Sequence, residues 1–92
     1  DFMDPRSFDY ETTVLYIRLI TKLLNSAATS YRDKYELATR RIDDMRNAIK
    51  YLLALHKLHN LLGQGDQAQE VKKKALIWKD KMDADHKAGL SN

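Results

Sequence analysis

The stretch VLYIRLITKLL, residues 14–24, carries apolar side chains at Val14, Leu15, Tyr16, Ile17, Leu19, Ile20, Leu23 and Leu24. Wound into a helix, these positions cover nearly the whole circumference, so the segment has little solvent face of its own and requires burial on more than one side. A second stretch, AIKYLLALHKLHNLL, residues 48–62, has the same property. Between the two, Arg32, Asp33, Lys34, Glu36, Arg40, Arg41, Asp43, Asp44 and Arg46 surround a narrow seam of Tyr31, Tyr35, Ala38 and Ile42. That reads as a solvated waist.

Working outward, no glycine or proline occurs from Glu11 to Leu62, a span far longer than the usual globular helix of about 11–12 residues. Steps of four and three connect Tyr10, Val14, Ile17, Thr21, Leu24, Ala28, Tyr31, Tyr35, Ala38, Ile42, Met45, Ile49, Leu52, His56 and His59, the spacing of one helical seam. Asn25 to Ser30 is the point of ambiguity, because Asn, Ser and Thr side chains compete for backbone hydrogen bonds and Ser30 with Asp33 imitates a capping box. A turn near Thr29 would fold the first apolar segment onto the charged waist. A continuous or nearly continuous helix from Asp9 to Leu62, about 80 Å long, leaves both apolar ends to be covered by another chain.

The fold expected is therefore all-α: a long helix, either continuous or broken near residues 25–30, followed by an antiparallel C-terminal helix, together forming a coiled-coil-like bundle in an antiparallel homodimer. Its interface residues are Val14, Ile17, Leu24, Tyr31, Tyr35, Ile42, Ile49, Leu52, His56 and His59. In that register Tyr31 meets Ile42, Tyr35 meets Ala38 and Leu24 meets Ile49 of the second copy. Gly63-Gln64-Gly65 supplies a helix stop, and Asp66 with Gln69 gives a capping-box spacing that opens a helix from about Gln67 to His86. Its apolar series is Ala68, Val71, Ala75, Trp78 and Met82. Residues 1–8 read as an irregular head with Ser7 or Asp9 as N-cap, 9–88 as one helical domain, and 89–92 as a frayed tail.

The chain has 92 residues, 32% of them charged, no cysteine, and a net charge of +3. Such a length holds one domain, whose core is marginal without a partner, metal or disulfide. The lack of cysteine excludes disulfide frameworks, thiolate metal sites and cysteine nucleophiles, and points to a reducing, cytoplasmic setting. No stretch of about 18 apolar residues marks a membrane span, and Asp1 to Pro5 has no basic start of a signal peptide.

The chemistry-bearing residues read as structural. His56 and His59 share a helix face, but a hairpin centred near Gln64 sets them against Lys72 and Gln69, and no third ligand for a metal ion is in reach. They read as imidazoles hydrogen-bonded across a helix interface, where protonation would bring charge into apolar surroundings and loosen them. Asp43 and Asp44 diverge by about 100° around a helix and read as solvated partners of Arg40, Arg41 or Arg46. No nucleophile with a base, no catalytic pair and no cofactor motif is legible. Lys72, Lys73, Lys74, Lys79 and Lys81 on the last helix offer a possible nucleic-acid contact, with a solvated face as the simpler reading. Trp78 falls on the apolar series and reads as core.

The function expected is a non-enzymatic oligomerisation or protein-interaction module, needing no cofactor. Its partner is a second copy of itself or another helical protein, with nucleic acid secondary and no membrane. A nucleic-acid-binding helical protein and a monomeric three-helix adaptor bundle are the alternatives.

Overall fold

A computed structural model describes residues 10–92; the irregular head and the caps expected at Ser7 and Asp9 fall outside them. Three helices follow in order: α1 from Tyr10 to Lys34, α2 from Ile42 to Leu61 and α3 from Gly65 to Lys87. Among the described residues there is no strand, and the chain is an all-α helical bundle.

The break in the long helix is real, but it lies neither near residues 25–30 nor nowhere. Asn25 to Ser30 is helical throughout, because Leu24, Ala28 and Tyr31 face inward, Ala28 with no exposure at all, while the competing Asn25, Ser26 and Ser30 point to solvent. The helix ends at Lys34, four residues past Ser30. Residues Tyr35–Thr39 form one wide π turn, closed by the Arg40 amide donating to the Tyr35 carbonyl at 3.0 Å. Arg40 then takes a left-handed conformation (φ 52°), Arg41 is extended, and α2 starts at Ile42.

This bend folds α2 back antiparallel to α1 within one chain. Tyr31 stacks on Tyr51 with ring centroids 5.6 Å apart, so the register that set Tyr31 against Ile42 of another copy is replaced by an intramolecular one. The continuous rod from Asp9 to Leu62 is thereby overturned. α2 lies between the two outer helices and packs against both.

On its α3 side, Met45, Ala48 and Leu52 meet Ala75, Trp78 and Met82 in one buried cluster that also takes in Ala28 and Tyr35. Small residues face large ones, which lets the helices approach closely. Trp78 is a core residue, as its spacing predicts.

Both later helices end in the same way. At the end of α2 the Gln64 amide donates to the His59 carbonyl (2.8 Å) and the Gly63 amide to that of Asn60 (3.1 Å). At the end of α3 the Leu90 amide donates to the Asp85 carbonyl (2.8 Å) and the Gly89 amide to that of His86 (3.1 Å). These are Schellman closures. They need a positive φ at Gly63 (71°) and Gly89 (73°); space for a side chain exists at both, so conformation alone selects glycine.

Two expectations are corrected here. α3 begins at Gly65 without a side-chain cap: the Ala68 amide donates to the Gln64 carbonyl at 3.0 Å as the first helical bond, which puts Gln64 at the cap position and Asp66 inside the first turn. The Asp66–Gln69 capping box is therefore not used. The end of the chain is tied down instead of frayed: the Asn92 amide donates to the Arg40 carbonyl, and the Ile42 amide to that of Asn92 at 2.9 Å.

Candidate interaction surface

α1 has two apolar faces, and they have different fates. The inward face, Val14, Ile17, Thr21, Leu24, Ala28, Tyr31 and Tyr35, is buried or half-buried. It follows the seam read from the sequence, with α2 of the same chain in the role given to a second copy. Ile42, Ile49, Leu52, His56 and His59 are likewise taken up inside the chain. Leu52 and Tyr35 have no exposure, so neither can contact another molecule in this fold.

Where α1 and α2 join, a polar clasp surrounds Asp85, itself only 5% exposed. Its carboxylate accepts from the Tyr35 hydroxyl at 2.8 Å and from the Lys81 ammonium at 2.9 Å, with the Arg40 guanidinium at 3.5 Å. Glu36 lies 3.8 Å from both Arg40 and Lys81. The bond from Lys81, then that from Tyr35, holds the Asp85 carboxyl below its ordinary range. Burial, then the bond to Asp85, raises the Tyr35 phenol, and the bond to Asp85 raises the Lys81 ammonium.

Arg40 also lies over the Tyr35 ring, 5.7 Å from its centroid. Beside the clasp, the Thr39 hydroxyl donates to the Asp44 carboxylate at 2.6 Å and accepts from the Arg41 amide at 3.1 Å. Asp44 is buried and also faces Lys34 at 3.7 Å. It is not the solvated ion-pair partner that the sequence suggested; Asp43, 3.6 Å from Arg46, is.

Two of the five lysines proposed for nucleic acid are engaged within the molecule. Lys81 is bound to Asp85, and the Lys74 ammonium lies 5.1 Å from the centroid of the Trp78 ring, with Arg32 at 5.5 Å from the same ring. Lys72, Lys73 and Lys79 are exposed.

The histidines pair with the α2–α3 turn, opposite Ala68 and Gln64 instead of Lys72 and Gln69, because the turn is tighter than a hairpin centred on Gln64. His56 Nδ1 donates to the Ala68 carbonyl at 2.8 Å, and His59 Nδ1 donates to Gln64 Oε1 at 2.7 Å. Among the described residues no group of three or more His, Asp or Glu side chains is placed to hold a metal ion.

The outward face of α1 is Thr12, Leu15, Tyr16, Leu19, Ile20 and Leu23, spaced by three and one so that they form a continuous strip. Leu15, Tyr16 and Leu23 are 57–64% exposed, and Leu19 and Ile20 nearly half. The strip contains no Asp, Glu, Lys, Arg or His. Sequence reasoning detected that this segment was apolar all round; it did not separate the covered side from the uncovered one, because that depends on where the chain bends. Past the end of α2, Tyr10, Val14, Ile17 and Arg18 border a shallow hollow with Leu62 and Gln64. Among the described residues no helix is long and apolar enough to cross a membrane.

These features define the class: a helical bundle whose first helix is packed on one side and greasy on the other. The chain belongs to the TP0443 family, whose pattern matches residues 1–86. No curated protein and no solved structure matches it.

Proposed function

We propose that the protein is a non-enzymatic interaction module that docks a helical partner on the outward face of α1. The observation that carries this reading is the strip Leu15, Tyr16, Leu19, Ile20 and Leu23, with each side chain roughly half exposed or more. With about 100 Å² left uncovered on each, the strip presents on the order of 500 Å², the size at which an apolar patch on a monomer is often functional. A helix laid along it would meet anchors at the i, i+3, i+4 and i+7 positions.

The charged cluster at the bend fits a structural role, since the Asp85 carboxylate is buried and held by Tyr35, Lys81 and Arg40. Nucleic-acid binding is the weaker alternative, because Lys74 and Lys81 are occupied internally.

A photo-crosslinking phenylalanine placed at Leu15, with one at the exposed Glu70 of α3 as comparison, tests the reading in cells. A discrete protein adduct from position 15 and none from position 70 is the expected result. No adduct from α1 overturns it.

A further inference from the structure

The identity of the occupant follows from the strip itself, and the inference rests on the reading of α1 as a docking helix. We propose that the outward face of α1 binds the same face of a second copy of this chain, antiparallel, about a dyad between Ile17 and Arg18.

Three observations lead there. First, the area fits. Doubling the strip of about 500 Å² gives about 1,000 Å² buried between two copies, the lower bound for a specific interface.

Second, the strip is self-complementary. About that dyad Tyr16 of one copy lies beside Leu19 of the partner, Leu15 beside Ile20, and Leu23 beside Thr12, so each large apolar side chain meets an uncharged one. Arg18, close to the dyad in sequence, lies about 130° around the helix from the middle of the strip and borders the hollow with Leu62 as well as one with Glu11 and Leu15.

Third, the flanks are complementary in charge. Glu11 and Lys22 are eleven residues apart, which returns them to within about 20° of each other around the helix. Antiparallel pairing sets Glu11 of one copy within about 3 Å of axial offset from Lys22 of the other. Parallel pairing would carry Glu11 and Lys22 of the second copy to the opposite flank, so the two charges would not meet.

The interface differs from the one drawn from the sequence. That one used the inward seam, which α2 now occupies; this one uses the opposite side of α1.

Sedimentation equilibrium of the full chain from low micromolar to a few hundred micromolar tests the association. The expected result is a species of twice the 10.7 kDa chain mass, and return to 10.7 kDa in Leu19→Glu with an unchanged helical circular dichroism spectrum. A chain that is monomeric throughout overturns the proposal, as does a dimer that survives Leu19→Glu with its spectrum intact. If that variant loses its helical spectrum, Tyr16→Lys supplies the same comparison.

Orientation is read by disulfides, which are clean because the chain has no native cysteine. Tyr16→Cys and Leu19→Cys copies should cross-link to each other. Leu23→Cys copies, about 16 Å apart along the axis, should not, and efficient Leu23→Cys self-linkage overturns the antiparallel arrangement.

The two levels separate. A monomer that still gives adducts from position 15 to a different protein removes the self-association and leaves the docking function. A monomer with no adduct removes both.

Discussion

The carboxylate of Asp85 joins α3 to the bend through Tyr35, Lys81 and Arg40. Asp85→Ala leaves the buried Tyr35 hydroxyl without its acceptor, at a cost of about 1–3 kcal/mol, read as a lower Tm. Because its folded pKa lies below the ordinary carboxylate value, the folded state binds fewer protons there than the unfolded one. The contribution of Asp85 is complete above about pH 4 and is lost as the pH falls through the lower folded value. Stability measured across the acid range should therefore slope less steeply in Asp85→Ala. Tyr35 and Lys81 are shifted upward, so their contributions hold below about pH 10 and fade as the pH rises through their folded values. Arg40 combines contacts with backbone strain, and two variants separate them. Arg40→Ala and Arg40→Gly lose the same side-chain contacts, but only glycine relieves the left-handed φ, so the glycine variant should be the more stable by about 1 kcal/mol in denaturant titration.

The elements were legible where they follow periodicity and illegible where they end without a breaker. Steps of three and four located the inward face of α1, and Gly63 marked the end of α2 because a Schellman closure needs a positive φ. The bend had no such marker: it is made of a π turn and two arginines. A charge signal was nevertheless present. Arg40 and Arg41 follow the last turn of one helix, and Asp43 and Asp44 open the next, the signs that complement a negative helix end and a positive helix start. Read as a solvated waist, that switch was missed. Its hinge is held by Thr39, whose hydroxyl links the Arg41 amide to the buried Asp44. Thr39→Val keeps the shape and removes both bonds, and should cost about 1–2 kcal/mol, with amide exchange accelerating first at the start of α2.

At the scale of the whole molecule, α2 is the shared element. Leu52, with no exposure, belongs to the cluster that contains residues from α1 and α3. Leu52→Ala should cost about 2–5 kcal/mol, a large fraction of the stability of so small a domain. Hydrogen exchange should then rise in all three helices together; loss of protection in one outer helix alone would show that the bundle is not one cooperative unit. The apolar circumference of residues 14–24 was legible in the sequence, and one side of it is covered by the chain's own second helix. The reciprocal backbone bonds between Asn92 and the Arg40–Ile42 corner have a practical bearing. They fix the exit point of anything joined beyond Asn92 roughly 30 Å, by helical rise, from Leu19, so an affinity handle or fluorophore appended there clears the sticky flank.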